Sequence, residues 1–340
     1  MDNSRPYMTK IHPASATPAN LINIGIVGPG RVAHRLANAM PLIEGAQLWS
    51  VYSRNLGSAK EFATQYAAAA PAPAYDNFQK MLEDPKLNAL IITTPDKFHF
   101  YYAFEALKNG KHLLIEKPLC TTTEEGQQLL ELAKKTSCVI SMGYHLRWHT
   151  GLRLLAEKTK EKKFGRINHV SIHWAHTFID EASWRQSREL SRWWALSTLG
   201  THCLDIARWI MLPSCGEVKN IKCLATNKNF NSNDESAMIS LEFESGATAT
   251  IFTSILFHSP FKIEVYGEKN NAKGVNLVSS DSKGELFIND SPLEYPEPSN
   301  LYACELRNFI DAINNKVDAE VSLAEGFKNI ELLIQSNPQM

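Results

Sequence analysis

The stretch LINIGIVGPGRVA, residues 21–33, decides the fold of this chain. Its first part is a short apolar run, typical of a buried parallel strand. Gly28 and Gly30 then permit a tight turn and a close approach of the backbone to a ligand, and Ala33 allows close helix packing. The following helix N-terminus offers amide groups to phosphates. Because the turn follows the first strand of a βαβ unit, it predicts a dinucleotide site. Its contacts are expected from Gly28, Pro29, Gly30, Arg31 and Val32.

Strand-like and helix-like segments alternate from this turn as far as residue 143. We predict strands at 21–27, 47–53, 89–93, 112–115 and 139–143, and helices at 31–40, near 59–66, and at 99–109 and 124–135. Segment 67–74 is expected to be a loop, because its prolines lack amide donors. The alternation predicts an α/β architecture with a doubly wound parallel sheet, here a Rossmann domain over residues 21–143.

The pattern changes beyond residue 143. Helices are predicted at 150–160, 199–211, 301–314 and 323–335, and strands at 167–176, 218–225, 236–244, 247–256 and 262–267. The strands alternate in hydrophobicity, as antiparallel strands with one buried face do. We therefore expect residues 144–340 to form an α+β domain with a large, mostly antiparallel open sheet. Its C-terminal helix is expected to pack back on the first domain, and residues 1–20 to form a flexible arm.

Composition excludes several classes of function. The chain has 340 residues, of which 44% are hydrophobic and 21% charged, and its formal net charge is -1. A chain with so small a net charge has no positive electrostatic field that would attract nucleic acid or an anionic membrane surface. No apolar run approaches the ~20 residues of a membrane span. The six cysteines lack C-x-x-C pairing, which argues against a zinc site and fits a reducing compartment. We predict a cytoplasmic protein without metal, nucleic-acid or membrane partners.

The end of the second predicted strand bears on cofactor choice. A carboxylate at this position usually grips the adenosine ribose hydroxyls, but the chain has Ser53 and Arg54. A hydroxyl and a cation suit a 2′-phosphate. The sequence therefore favours NADP over NAD, although Arg54 as a solvated side chain without a ligand is the alternative.

Two further motifs follow in the order of a known family. One is Thr93-Thr94-Pro95-Asp96 with His99, and the other is Glu116-Lys117-Pro118 after a strand. With the glycine turn and the segment Gly200–Asp205, they resemble the glucose–fructose oxidoreductase / inositol dehydrogenase / rhizopine-catabolism (Gfo/Idh/MocA) family over nearly the whole chain. The resemblance is most specific at Glu-Lys-Pro.

The resemblance implies roles for individual residues. Lys117 would reach the substrate hydroxyl and the nicotinamide, and His202 would act near the substrate as an acid or base. Glu116 would contact the nicotinamide ribose, while Thr93, Thr94, Pro95 and His99 would line the cofactor. Tyr144 and Arg147 belong to a family stretch that opens the second domain, and Arg147 is expected to face the pocket. Chemistry requires such groups as well, because exchange of a hydride with an alcohol carbon needs a proton acceptor or donor at the oxygen.

The chain departs from the family pattern near His202. The family usually has an aspartate four residues earlier, where this chain has Thr198, which is expected to share a helix face with the histidine. A threonine offers a hydrogen bond but no charge. The usual glycine-rich stretch is replaced by Arg192-Trp193-Trp194, which either reshapes the pocket or packs the core. Asp205, three residues after His202, could supply a carboxylate instead, although the resemblance implies a structural role for it.

Two functions from different classes follow. The first is an NAD(P)-dependent oxidoreductase acting on a secondary alcohol or ketone of a small polyhydroxylated substrate, such as a sugar or a cyclitol. Substrate contacts are then expected from Tyr144, Arg147, Trp174, Trp193, Thr198 and His202. The second is a catalytically silent NADP-binding regulator on the same fold, which the loss of aspartate at position 198 favours. The resemblance also implies a homodimer or homotetramer that associates through the open sheet.

Overall fold

A computed structural model describes residues 21–177, 184–229, 233–279 and 283–336, and these ranges form two sheets with their helices. The expected N-terminal arm, residues 1–20, lies outside the described residues. The first sheet and its helices comprise β1 (Ile22–Val27), α1 (Arg31–Ala39), β2 (Ala46–Tyr52), α2 (Leu56–Gln65), β3 (Ala74–Tyr75), α3 (Phe78–Leu82), β4 (Ala89–Ile92), α4 (His99–Lys108), β5 (His112–Glu116), α5 (Thr123–Ala133) and β6 (Ile140–Gly143).

The first sheet is the predicted Rossmann sheet. Its strands lie in the order β3-β2-β1-β4-β5-β6, and every neighbouring pair is parallel. Helices α1 and α2 pack on one face, whereas α3, α4 and α5 pack on the other, so the sheet is doubly wound. The strand order reverses between β1 and β4, where open α/β sheets bind ligands beyond the carboxyl ends of their strands.

Two short elements of this domain were not predicted. The end of the expected loop 67–74 is the edge strand β3, because the carbonyl of Pro73 accepts from the Val51 amide at 2.7 Å although proline has no N–H to donate. Helix α3 is only five residues long, too short for a periodic signal, and begins where the Asn77 side chain accepts from the Lys80 amide.

The second sheet has the order β14-β13-β12-β11-β7-β10-β9-β8, and only its β7–β10 pair is parallel within the described residues. Its strands alternate between buried and exposed residues, with α7 packed against one face. The strands β12 to β14 were not predicted. The elements are α6 (Thr150–Lys160), β7 (Ile167–Ala175), α7 (Thr201–Cys215), β8 (Val218–Thr226), β9 (Ser236–Phe243), β10 (Thr248–Ser254), β11 (Ser259–Gly267), β12 (Asn271–Val275), β13 (Glu285–Ile288), β14 (Ser291–Pro292), α8 (Leu301–Asn315) and α9 (Leu323–Gln335).

The C-terminal helices lie against the first domain. Leu306 and Phe309 of α8 belong to the same buried cluster as Leu36 of α1 and Ile24 of β1, and α9 packs against α5 and β6. Helix α8 therefore completes one face of the Rossmann layer. Within the described ranges, no helix combines the length and the apolarity that a membrane-crossing helix needs.

Candidate active site

The glycine turn lies at the carboxyl end of β1 and leaves space beside the backbone. Gly28 has φ +90°, and a Cβ there would lie 2.9 Å from Cγ2 of Thr94, so only glycine fits without strain. A Cβ on Gly30 would meet nothing closer than the Thr93 carbonyl oxygen at 4.0 Å. No side chain of the described residues caps α1, and its first turn holds no acidic residue, so its amides are available to an anion.

The Thr93–Pro95 turn after β4 lies beside this space. The Thr93 hydroxyl donates to the carbonyls of Val27 and Gly28, at 3.1 and 2.6 Å, which ties the ends of β1 and β4 together. The hydroxyl oxygen of Thr94 is shielded from solvent and has no hydrogen-bond partner in the described part of the chain. An unpartnered buried polar atom beside free helix amides fits a polar ligand such as a dinucleotide.

His99 connects the Thr93–Pro95 turn to the Glu-Lys-Pro segment, and its ring nitrogens are not free to bind a ligand. Its ring is 1% exposed, with Nδ1 2.7 Å from the Pro118 carbonyl oxygen and Nε2 2.8 Å from the Thr94 carbonyl oxygen. Both ring nitrogens are therefore engaged with the two loops that border the site. This corrects the expectation that His99 contacts the cofactor directly.

Ser53 and Arg54 lie just beyond β2, at the same edge of the sheet. The Arg54 side chain is exposed, and its guanidinium carbon is 5.4 Å from the centroid of the Phe98 ring. The Ser53 hydroxyl accepts from the Asn55 amide at 3.2 Å. The cation–π contact holds Arg54 at the strand end where an adenosine ribose binds in this fold.

Lys117 follows β5 and reaches across to the second domain. Its Nζ donates to the carbonyls of Ser197 and Thr198, both at 2.9 Å. Burial and the charge of Arg185 lower the pKa of Lys117 to about 8, against the opposing effects of Glu116 and Asp96. Among the described residues these two carbonyls are the hydrogen-bond partners of Nζ, so one of the three ammonium positions is left without a protein acceptor.

Glu116 lies directly behind Lys117. Its carboxylate oxygen Oε2 accepts from the Lys117 backbone amide at 3.2 Å. Burial raises the pKa of Glu116 to about 7, although the Lys117 ammonium opposes the shift. A Cβ on Gly143 of the neighbouring strand would lie 2.9 Å from this carboxyl group, so glycine at 143 makes room for it.

His202, in the first turn of α7, forms the second half of the site together with His145. The two rings meet edge to face with centroids 5.0 Å apart, and Nδ1 of each is buried without a hydrogen-bond partner in the described residues. Burial, followed by the Lys117 charge, lowers the pKa of His145 to about 3 and that of His202 well below its usual value. Both imidazoles are therefore neutral at neutral pH.

The three aromatic residues that were expected to contact the substrate differ in their exposure to solvent. Trp174 is partly exposed, and its ring centroid lies 6.2 Å from that of His202. Tyr144 and Trp193, by contrast, are fully buried, and the Tyr144 hydroxyl is hydrogen-bonded to Thr201 Oγ1 at 2.8 Å. Tyr144 supports the turn of α7 that carries His202, and Trp193 packs in the core, which corrects their expected substrate contacts.

A π-helical turn over Leu196–Gly200 precedes α7, where a regular helix was expected from Leu199. The Thr201 amide donates to the Leu196 carbonyl, five residues back. The wider turn breaks the i, i+4 register on which the expected contact between Thr198 and His202 depended. The Thr198 hydroxyl has no partner within the described chain, and Thr198 contributes its carbonyl to Lys117 instead.

Asp234 fixes the start of this π-helical turn. Its carboxylate accepts from the amides of Trp194 and Leu196, both at 2.7 Å, while its own carbonyl accepts from Ala195 at 3.0 Å. Burial raises the pKa of Asp234 to about 6. The segment that presents carbonyls to Lys117 is thus anchored by a carboxylate that sequence patterns did not single out.

Arg147 is engaged in an ion-pair network. Its guanidinium donates to both carboxylate oxygens of Asp205, at 2.7 and 2.6 Å, and to Glu325 at 3.0 Å. Asn329 also donates to Asp205, at 3.0 Å. The expectation that Arg147 faces the pocket is therefore corrected, and Asp205 is not a replacement for the missing carboxylate.

Arg185 is a charged residue near the site that was not predicted from the sequence. It lies in the turn Trp184–Gln186, with its guanidinium carbon 4.1 Å from the Trp184 ring centroid and a solvent-shielded Nε without a hydrogen-bond partner in the described chain. Its charge lowers the pKa of Lys117 and opposes the rise in the pKa of Glu116, and Arg31 of the glycine turn acts on it in turn. The segment around Arg185 has no periodic hydrophobic pattern, so the Trp184-Arg185 pair is the one sequence feature that could have indicated a role for this turn.

Comparison with known families assigns both halves of the chain. Residues 22–144 match the oxidoreductase family with an NAD-binding Rossmann fold, and residues 152–273 match the GFO/IDH/MocA C-terminal domain. The chain belongs to the GFO/IDH/MocA oxidoreductase family. The strand order, the glycine turn and the Glu-Lys-Pro segment described above are thus those of a family member.

Individual relatives in this family are distant but cover nearly the whole chain. Glucose-6-phosphate 3-dehydrogenase of Bacillus subtilis (strain 168) is 24% identical, over 91% of this chain and 94% of its own length. A scyllo-inositol 2-dehydrogenase (NADP(+)) of the same organism is also 24% identical, over 90% and 92%. Aldose-aldose oxidoreductase from Caulobacter crescentus, solved with glycerol, has a TM-score of 0.84 at 20% identity, over 93% of this chain and 97% of that chain. A levoglucosan dehydrogenase with NADH has a TM-score of 0.81 at 19% identity, over 93% and 96%.

Proposed function

We propose that this protein exchanges a hydride between NAD(P)(H) and a secondary alcohol or ketone of a sugar, a cyclitol or a sugar derivative. The proposal rests on the geometry of Lys117. Its Nζ donates hydrogen bonds to two backbone carbonyls, and we assign its remaining hydrogen-bonding position to a substrate oxygen. The nicotinamide, when bound, supplies the hydride exchange at the carbon that bears this oxygen. The protein's part is to position the oxygen and to move its proton.

The residues present fit a dinucleotide. The open space beside Gly30, the uncapped amides of α1 and the unpartnered Thr94 hydroxyl form a polar cradle at the strand reversal of the sheet. Arg185, which interacts electrostatically with Arg31, adds a second cation on the side of the other domain. We assign the phosphates to the glycine turn and the two arginines, and the nicotinamide end to Glu116 and Lys117.

Lys117 serves both reaction directions with one geometry. A neutral amine satisfies the carbonyls of Ser197 and Thr198 with its two N–H groups and keeps its lone pair for a hydroxyl proton. An ammonium makes the same two bonds and donates its third N–H to a ketone oxygen. Because the pKa of Lys117 is lowered to about 8, both forms are accessible near neutral pH.

His202 and His145 would bind the substrate as neutral imidazoles, so we propose His202 as a substrate ligand in place of the acid or base role that the resemblance implies. Each has a buried Nδ1 that lacks a partner within the described residues, and such atoms are costly unless a ligand or water satisfies them. The partly exposed Trp174 lies beside them and offers an apolar face to a sugar ring. Relatives that act on glucose 6-phosphate and scyllo-inositol support a polyhydroxylated substrate.

NADP is the proposed cofactor in preference to NAD. Arg54 lies at the end of β2 and is exposed, and the adjacent Ser53 adds a hydroxyl. A relative named for NADP(+) supports this choice, whereas solved relatives with NADH support the alternative. The six cysteines, all within the described part, are unpaired, which supports a reducing, cytoplasmic location.

The test is a titration with NADPH and NADH, followed by nicotinamide fluorescence, and then addition of keto-sugars and inosose-type ketones. Binding with oxidation of the nucleotide by any of these compounds supports the proposal and identifies the substrate class. Binding without oxidation, together with a nucleotide-dependent affinity for a protein partner, favours the silent regulator, to which Thr198 in place of aspartate points. Absence of binding by either nucleotide overturns both.

A further inference from the structure

An aspartate two residues before β9 is bonded to the backbone of a different segment. Asp234 is fully buried, and its two carboxylate oxygens accept from the amides of Trp194 and Leu196, both at 2.7 Å. The carbonyl of Asp234 accepts from the amide between them, that of Ala195, at 3.0 Å. One residue therefore holds three successive amides ahead of the π-helical turn, where a helix start leaves amides without a partner in the helix itself.

The backbone beside Asp234 is fixed by the second sheet. The Glu235 amide donates to the Thr226 carbonyl of β8 at 2.7 Å, and the Glu235 carbonyl accepts from the amide of Ile255, which follows β10, at 2.9 Å. Glu235 is thus bonded to chain on both sides of β9. Because Asp234 projects from this fixed point, the sheet sets the position of its carboxylate, and the carboxylate sets the position of the segment that it binds.

One turn of chain connects this anchor to Lys117. The Thr198 amide donates to the Trp194 carbonyl at 2.9 Å, and the anchored amide of Leu196 belongs to the residue directly before Ser197. The carbonyls of Ser197 and Thr198 accept from the Lys117 Nζ, both at 2.9 Å. A shift of the anchored amides would therefore displace the two acceptors of Nζ.

These carbonyls affect the protonation of Lys117 as well as the direction of its side chain. A hydrogen bond from an ammonium to a carbonyl is stronger than one from a neutral amine, so the two acceptors favour the charged form. They act against burial and the charge of Arg185, which lower the pKa of Lys117 to about 8. Withdrawal of the carbonyls would lower the pKa of Lys117 further and release Nζ from the position that the reaction needs.

We propose that Asp234 is a positioning residue that holds the π-helical turn, and through it the two carbonyls that direct the Lys117 Nζ toward the substrate. The inference rests on the proposed function, because it concerns the lysine assigned to the proton transfer. Asp234 acts through the backbone, since the charges that act on the pKa of Lys117 are those of Arg185, Glu116 and Asp96.

The experiment compares Asp234→Asn with Asp205→Asn in the full-length protein. An asparagine at 234 has one oxygen to accept an amide and presents N–H groups to the other amide, so half of the anchor is lost. Asp205 is the matched control, because it is also a buried carboxylate of the second domain but accepts from the side chains of Arg147 and Asn329. The pKa of Lys117 is measured by NMR of its labelled Cε carbon, assigned by its loss in Lys117→Met, and kcat and KM are measured with a substrate found in the nucleotide-oxidation assay.

In Asp234→Asn we expect the pKa of Lys117 to fall and kcat to decrease by about 10²-fold with little change in KM, the effect of a small misplacement of a reacting group. In Asp205→Asn we expect the Lys117 pKa and kcat to stay unchanged, although the free energy of unfolding decreases. If circular dichroism shows that Asp234→Asn does not fold, Asp234→Ser takes its place, because a hydroxyl oxygen accepts one amide without presenting N–H groups to the other.

An unchanged or raised pKa of Lys117 in the variant at 234, or an unchanged kcat, would overturn the inference, because Nζ would then not depend on Asp234. An equal fall in Asp205→Asn would also overturn it, since the effect would then follow from the loss of any buried carboxylate in this domain. The NMR readout requires no turnover. A lowered pKa in a protein that shows no activity would therefore contradict the proposed function alone, whereas activity with an unchanged pKa would contradict this inference alone.

Discussion

Replacement of Lys117 by methionine removes the Nζ amine and keeps most of its apolar stem. We expect NADPH binding to persist and the hydride exchange rate to fall by about 10²-fold or more, the range for loss of a general acid or base. Stopped-flow nicotinamide fluorescence measures both quantities. Lys111→Met is the matched control, because the Lys111 ammonium is also buried but its partners among the described residues are the carbonyls of Leu87 and Asp84. Wild-type rates in Lys117→Met would remove Lys117 from the chemistry.

The dependence on pH should differ in sign between the two directions of the reaction. Alcohol oxidation needs neutral Lys117 to accept a proton, so kcat/KM should rise as pH increases through the Lys117 pKa of about 8. Ketone reduction needs the ammonium, so kcat/KM should fall over the same range. His202 and His145 are neutral throughout, because burial lowers the pKa of both. Profiles that change in the same direction for oxidation and reduction would contradict this assignment.

The ion pairs of Arg147 join the turn after β6 to α7 and α9, and they give a prediction on stability. The Arg147 and Asp205 side chains are only 5% and 1% exposed, so Arg147→Met leaves a buried carboxylate without its main partner. We expect a loss of about 3–5 kcal/mol in the free energy of unfolding, measured by urea denaturation. The KM of the folded enzyme should change little, because Arg147 does not bind substrate.

Arg153→Met is the matched control for this prediction. Arg153 pairs with Glu320 at 2.9 Å, but these side chains are 33% and 37% exposed, so the pair should contribute about 0–1 kcal/mol. Both arginines lie over tryptophan rings, Arg147 over Trp209 and Arg153 over Trp148, so the comparison isolates burial of the charges. Equal losses of stability in the two variants would contradict the role given to the buried network.

The elements that could be predicted are those whose signal is local. The strands of the Rossmann sheet are continuous apolar runs, and the glycine turn and Glu-Lys-Pro each lie at the end of such a run, so their positions at one sheet edge follow from topology. The partners of Arg147 could not be predicted, since Asp205 and Glu325 are 58 and 178 residues away in sequence. The position of Thr198 relative to His202 could not be predicted either, because the π-helical turn changes the helical register without a recognisable sequence signal.

The candidate site forms where the two domains contact each other, so it contains residues from both halves of the chain. Lys117 comes from the first domain, whereas its carbonyl acceptors and His202 come from the second. Sequence motifs identify the members of this set one by one. Their mutual distances, and with them the lowered pKa of Lys117, arise only when the domains pack.

The open face of the large sheet carries an apolar row that a single chain leaves exposed. Leu224 of β8 pairs with Met238 of β9, which pairs with Phe252 of β10, and cross-strand partners lie on the same face. Leu224 is 67% exposed and Met238 is 50% exposed. His173 of β7 stacks on Phe252 with ring centroids 5.0 Å apart and extends the row. Contiguous exposed apolar surface of this kind is typical of protein–protein contacts, so we propose a homodimer or homotetramer built on this face.

The assembly prediction is tested by Leu224→Lys combined with Met238→Lys. Lysines at adjacent positions would place like charges opposite each other across a symmetric interface, where desolvation and repulsion both oppose association. We expect the double variant to sediment as a monomer with unchanged circular dichroism, while the wild type sediments as a dimer or tetramer. Val317→Lys, at another exposed apolar position, is the control and should leave the mass unchanged. If the double variant keeps the wild-type mass, association uses another surface, because an interface over this row would have to bury two unpaired lysines from every subunit.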